Sequence, residues 1–351
     1  MSDMRIHADA TRAAPLVRFG RYLADNPVIP LIAFLLLLIV VLEVMRPGIV
    51  LPVRVGRAEV ISSFWVGNLI KFAIPLAMLA ACQVLTMLTA GIDLSAGVVA
   101  TCAAYVCATL TPVLANGTGM DASTAMVASV AIALLVGALV GLLNGFGVGV
   151  VRVHPLIMTL GTGLIATGCL QVYQRFVIST GTMIPPFLEW LGTGRTFGMP
   201  NGLFLFVPFA LFVLGLMRFT GFGRLLFALG SNAQAAKLSG VRSWQVLMAL
   251  YTLSGMIAAL TGLLYLGMIR TPSLSLANPL MLPSVAAAVI GGTSIFGGRG
   301  SFAGAIVGAL ILRVIDTMLT LLQMPEGARI ALFGLIILLV TALYVRITGT
   351  R

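Results

Sequence analysis

The 351 residues are 60% hydrophobic and only 9% charged, with a net charge of +11 and a mean hydropathy of +1.10. A water-soluble domain carries roughly a quarter of its residues charged, so this composition excludes one and points to a chain dissolved in lipid. Its basic residues sit in short segments between apolar runs rather than in an arginine-rich patch with interleaved aromatics, which excludes a nucleic-acid partner and fits positive charge held on one side of a bilayer.

Residues 1–27 carry Arg5, Arg12, Arg18 and Arg21 with no small-residue cleavage site, and read as a cytoplasmic leader rather than a cleaved signal. Apolar runs long enough to cross a hydrocarbon core of about 30 Å then recur along the chain. They predict about ten spans, near 28–45, 67–90, 95–115, 124–148, 155–175, 202–218, 244–266, 284–298, 302–323 and 328–345. The eighth is short and glycine-rich and reads as a broken or partly re-entrant helix. The expected fold is all-α: a polytopic membrane domain over 28–345, closed by a cytoplasmic tail at 346–351. With the N-terminus inside, the inner segments collect 12 of the 21 Lys and Arg residues and the outer ones 7, leaving Lys71 and Arg313 within spans. That sign places both termini in the cytoplasm; the outer cluster Arg46, Arg54 and Arg57 runs against it.

In chain order, the first informative stretch is residues 89–95 (TAGIDLS), which sets an acid at the edge of an apolar region. A carboxylate there is costly, so Asp93 either caps a helix or touches a solute, and capping of the third span by Asp93 or Ser95 is the plainer reading. Cys82, Cys102, Cys107 and Cys169 fall in apolar spans without metal-type spacing and read as small buried hydrophobes. With His7 and His154 the only histidines, no metal site is expected.

Glycines recur every four residues at Gly137, Gly141, Gly145 and Gly149, and again at Gly300, Gly304 and Gly308. That interval lines one helix face and lets a second helix approach closely. The segment GALVGLL at 137–143 also returns as GAIVGAL at 304–310, in spans of opposite direction, the pattern of two inverted repeats.

Residues 221–244 are polar and lie midway between blocks of spans. Ser231 or Asn232 can cap a helix of about two turns over 233–239, and Gly240 suits the left-handed position that ends it. Asn232, Ala235, Ala236, Leu238, Ser239 and Gly240 would give a small, partly apolar surface suited to a groove on a partner; an ordinary solvated loop is the alternative. Further along, Arg313 and Asp316 share a helix face and can neutralise each other, with a proton relay as the sharper alternative.

The uncharged polar residues Asn68, Gln83, Thr86, Asn144, Thr159, Gln171, Ser254, Thr293 and Ser294, together with Asp93 and Ser95, are the candidates for a translocation path. Amides and hydroxyls suit a neutral hydroxylated solute, though each could instead bond across helices. There is no glycine-rich phosphate loop ending in Gly-Lys-Ser or Gly-Lys-Thr, and no zinc-protease or serine-hydrolase signature.

Several stretches taken in order resemble one family: residues 89–97 (TAGIDLSAG), 141–145 (GLLNG), 154–162 (HPLIMTLGT), Gly223-Arg224 running to 228–241 (ALGSNAQAAKLSGV), Ser254-Gly255, and 286–300 (AAAVIGGTSIFGGRG). From about Asn68 to Val345 the chain resembles permease subunits of bacterial ABC importers of the ribose/xylose/arabinose type. The resemblance implies an inner-membrane permease dimer, of two copies or with a sister permease. It also implies a cytoplasmic ABC ATPase that binds the ATP and Mg, leaving the permease itself no cofactor, and an extracytoplasmic sugar-binding protein. The segment matching residues 232–241, within a coupling loop at about 219–243, would then carry the coupling helix that docks on the ATPase. Where relatives often have an acid before Gly291-Gly292, this chain has Met281-Leu-Pro283, and the Arg313/Asp316 pair is also atypical. An ion-gradient transporter, motivated by Asp93, Asp316 and the repeat, is the competing reading; a membrane enzyme acting on a lipid-linked substrate has no visible machinery.

Overall fold

The computed structural model describes residues 28–50, 53–55, 58–60, 63–177 and 181–332, with Gly334, Leu335 and Leu338 beyond them. The expected leader, the C-terminal tail and most of the tenth span lie outside the described residues. What remains is helical apart from two short antiparallel hairpins, β1 (Val53–Val55) with β2 (Ala58–Val60), and β3 (Arg195–Thr196) with β4 (Met199–Pro200). The helices are α1 (Val28–Met45), α2 (Ser63–Met87), α3 (Ala96–Gly117), α4 (Ala122–Phe146), α5 (Pro155–Val177), α6 (Pro186–Thr193), α7 (Gly202–Phe219), α8 (Gly221–Ser231), α9 (Ala233–Leu238), α10 (Ser243–Ile269), α11 (Met281–Ile290) and α12 (Phe302–Leu321).

Among the described residues, eight helices are long and apolar enough to cross a membrane, and they coincide with eight of the ten expected spans. The eighth expected span differs. The 284–298 run yields only α11, ten residues and about 15 Å long, which cannot cross a core of about 30 Å. Gly291 and Gly292 end it, and the chain returns through a turn to α12. A broken helix is therefore what the glycines produce.

The core forms around α2 and α10. Along α2, Ala73 to Met87 are buried without a break, because neighbouring helices cover it on all sides. Helix α10 packs most extensively on α4, then on α3, α2 and α6. The glycine stripe explains the first contact. A Cβ built on Gly137, Gly141 or Gly145 would come within 3.0 Å of the α10 backbone, at Gly255, Tyr251 and Met248 respectively. Gly149 continues the seam toward Trp244 through the π-helical turn Gly147–Val151.

The second stripe uses a different partner, since Gly304 and Gly308 of α12 press on the backbone of Gly291 and Ala287 at α11. Both stripes make close helix contacts, as their spacing predicts, except that Gly300 lies in the turn before α12 and not on its face. Of the cysteines, Cys82, Cys102 and Cys107 are buried as expected, but Cys169 is exposed because it lies on the outward face of α5.

Candidate functional site

Two features converge at one end of the bundle, where α2, α4, α7 and α11 finish and α5, α10 and α12 begin. The first is the loop after α2. Ala90 adopts a left-handed conformation (φ 59°), and the chain turns back to place Asp93 in the interior at 1% exposure. The carboxylate is fully engaged: Oδ1 accepts from the Ser95 amide (3.0 Å) and hydroxyl (2.6 Å), and Oδ2 accepts from the Ser254 hydroxyl of α10 (2.7 Å).

The expected cap thus takes another form. Asp93 closes a local turn on Ser95, and the Ser95 side chain, drawn to that carboxylate, makes no capping bond of its own to α3. From Ser95 the network runs on: the Asn144 amide of α4 donates to the Ser95 hydroxyl (2.9 Å), and the Thr162 hydroxyl of α5 donates to Asn144 (2.5 Å). Gln83 holds the Asp93 backbone from α2, donating to its carbonyl at 2.9 Å, and Thr159 clamps Ile92 and Leu94 from α5.

Six of the expected path residues, Gln83, Asp93, Ser95, Asn144, Thr159 and Ser254, therefore meet in one buried knot that ties five helices together. The others are dispersed. The Thr86 hydroxyl bonds carbonyls of its own helix, and Gln171 is exposed on the outer face of α5. Thr293 and Ser294 are buried in the turn after α11, where the Ser294 hydroxyl accepts from the Phe296 amide. Asn68 sits at the far end of the bundle, accepting from Arg195 at 3.0 Å. Thr162 was not singled out from the sequence, although it lies one turn beyond Thr159 on the same face.

The second feature is the α8–α9 segment. The Asn232 side chain accepts from the Ala235 amide (2.9 Å), so Asn232 rather than Ser231 caps α9, and Gly240 has φ 84° as the left-handed ending requires. Around this short helix Ala235, Ser239 and Gly240 are exposed and Leu238 is 83% exposed. Ala236, expected on the outward surface, is buried instead, because it is the residue that seats α9 against the bundle.

A tight backbone junction links the two features. The Leu88 carbonyl at the end of α2 accepts from the Gly298 amide (3.0 Å), and Gly230 of α8 packs on both, with no room for a side chain. Movement of α8 and α9 would therefore press on the end of α2 and on the turn that joins α11 to α12.

At the far end, Asp316 pairs with Arg313 and with Arg329, each at 3.4 Å. The intrahelical pair read from the sequence is present, with Arg329 joining as a third member. Among the described residues, no group of three or more His, Cys, Asp or Glu side chains could hold a metal ion.

Residues 65–341 match the family described as "branched-chain amino acid transport system / permease component". The chain belongs to this permease family. It is 32% identical over 265 residues to the ribose import permease protein RbsC of Escherichia coli K12, covering 75% of this chain and 80% of the relative. It is 30% identical over 346 residues to the fructose import permease protein FrcC of Rhizobium meliloti, covering 95% and 90%. The autoinducer 2 import system permease protein LsrC of Yersinia pseudotuberculosis YPIII is 33% identical over 264 residues, covering 75% and 72%. No solved structure matches. The permease is thus a multi-pass membrane protein and a transport subunit.

Proposed function

We propose that this permease is the membrane-spanning subunit of an ATP-driven importer for a monosaccharide, with ATP and Mg bound by a partner ATPase docked on α9. The observation that carries the reading is the capped, projecting helix α9, whose one large apolar side chain, Leu238, stands 83% exposed while Ala236 anchors it from behind. An exposed leucine on a polar segment at a bundle end suits a partner's groove better than water or lipid. Relatives that import ribose and fructose supply the substrate class. The charge bias between segments supports both termini and α9 lying in the cytoplasm of a bacterial inner-membrane protein. A second permease copy or sister subunit and an extracytoplasmic sugar-binding protein complete the assembly.

In this mechanism, closure of the ATPase pair displaces α9. The glycine junction at Gly230, Leu88 and Gly298 passes the push to α2, and the Asp93 knot carries it into α3, α4, α5 and α10. The ion-gradient alternative loses support: Asp93 accepts three hydrogen bonds, and two arginines offset the charge of Asp316.

The permease co-purified with its ATPase and binding protein should show sugar-stimulated ATP hydrolysis, and Leu238→Asp or Ala235→Asp should lower that stimulation about tenfold or more by burying a charge at a docking hot spot. Both positions are exposed, so the variants should keep their yield and size-exclusion profile. Stimulation equal to the unmodified protein in both would sink the proposal, and uptake that needs no ATP but collapses with an ionophore would favour the gradient-driven reading.

A further inference from the structure

Away from the Asp93 knot and α9, the far end of the bundle holds a cavity of about 490 Å³ with a charged wall, in the size range of small-molecule sites (about 300–1,000 Å³). Its polar wall is formed by Tyr265 of α10, Asn278 of the loop before α11, Arg313 and Asp316 of α12, and Glu326 and Arg329 of the helical residues that follow, while apolar residues such as Leu76, Met281 and Ile330 line the rest. Arg313 and Asp316 also line an adjoining cavity of about 310 Å³ that includes Trp65. Ionisable groups in a membrane chain are expensive and ordinarily mark a solute's route.

Two observations show that this wall has unused bonding capacity. Both Asp316 pairs are 3.4 Å long, against about 2.7–2.9 Å for a well-made charge-assisted bond. The carboxylate is therefore bridged loosely, with its close acceptor positions open to a better donor. The Arg329 Nε is buried and has no partner among the described residues, which is costly unless something fills the place. The two arginines balance Asp316 and Glu326, so the wall carries no net charge and gives an anion or a cation no advantage. Acceptors, fork-shaped donors and an amide around an aromatic ring are what a neutral polyhydroxylated molecule requires, since each hydroxyl both donates and accepts.

From this we infer that the Asn278–Arg313–Asp316–Arg329 cavity is a binding site for a neutral monosaccharide within the permease itself, selecting by hydroxyl geometry independently of any extracytoplasmic binding protein. The inference rests on the sugar-importer reading above and deepens it.

The test uses the full-length permease in lipid nanodiscs, with Trp190→Phe and Trp244→Phe leaving Trp65, beside the shared wall, as the only tryptophan. Titration with D-ribose, D-xylose, D-fructose and D-glucose, and with gluconate and glucosamine as charged contrasts, is read by Trp65 fluorescence. At least one neutral sugar should give a saturable change, weakened about tenfold by Asn278→Leu and by Arg329→Gln, with the charged compounds binding less tightly. Asn278→Leu lies outside the ion-pair triad, so it reports on the site even if Arg329→Gln proves unstable. A preparation that shows sugar-stimulated ATP hydrolysis with its partners, yet gives no saturable change with any sugar, would overturn the site while leaving the importer reading intact. Binding that both substitutions leave unchanged, or that favours gluconate, would overturn it equally. Absence of stimulation and of binding together would remove the importer reading and this site with it.

Discussion

Gly141→Val should leave little folded permease, while Gly161→Val, the same change on a neighbouring helix, should be nearly silent. A Cβ at Gly141 would overlap the Tyr251 carbonyl and approach the Thr252 backbone within 3 Å, whereas at Gly161 of α5 nothing lies within 4 Å. Overpacking usually costs about 1–3 kcal/mol because side chains can shift. Here the obstacle is the backbone of α10, which is itself held by α2, α3 and α6, so the cost should reach about 3 kcal/mol or more. Separating α4 from α10 also strips the whole seam, since Gly255 faces Gly137 and Gly141 in the same interlock. In lipid there is no hydrophobic drive to bring the helices back together at a larger spacing, because tails and side chains are equally apolar. Thermal melting in detergent and the monodisperse fraction on size exclusion would measure this. Equal melting for the two variants would show that the glycine seam does not hold these helices together.

The seam was legible because a four-residue glycine interval is a one-dimensional signal: it fixes a face without reference to the partner. The spans were legible for the same reason, and so was α9, whose Asn232 and Gly240 mark both ends by local chemistry. What the sequence left undetermined depends on direction or on distant partners. Nothing in the alternation of polar residues shows that Ser254 meets a carboxylate 161 positions away, or that Gln83, Asn144 and Thr159 share one knot while Gln171 faces outward. Ala235 and Ala236 are chemically identical, and only the rotation of α9 exposes one and buries the other. Cys169 is exposed for the same reason, since α5 keeps much of its surface outside the bundle. Residues 284–298 were legible as a broken helix through their glycines, and Gly291 and Gly292 do cut α11 short.

On the proposed docking of an ATPase at α9, the knot and the junction would let one short exposed helix act on a bundle of long ones. Helix α9 is fixed to α8, α8 abuts Leu88 through Gly230, and Leu88 leads directly into the loop that carries Asp93. Each connection is backbone against backbone or a saturated hydrogen bond, so displacement passes on with little slack. A soft side-chain contact at any of these points would absorb it.

Asp93 is where that chain is most vulnerable, and Asp93→Leu is the substitution expected to have the largest effect among the polar residues. It would remove the acceptor for the Ser254 hydroxyl and for both donors of Ser95, and through Ser95 would loosen Asn144 and Thr162. A buried donor left unmade costs about 1–3 kcal/mol, and with several affected together the loss should be about 3–5 kcal/mol, accompanied by loss of transport. Asp93→Asn keeps one carbonyl acceptor and can turn its amide toward the Ser254 oxygen, so about 1–2 kcal/mol is expected. Ser254→Ala should cost about 1 kcal/mol. The double variant Asp93→Asn/Ser254→Ala should depart from additivity by about 0.5 kcal/mol or more, because the two groups share one hydrogen bond. Melting temperatures of the four proteins in nanodiscs would complete the cycle. Strict additivity, or an Asp93→Leu protein that melts with the parent, would mean that the carboxylate does not hold α3 and α10 together.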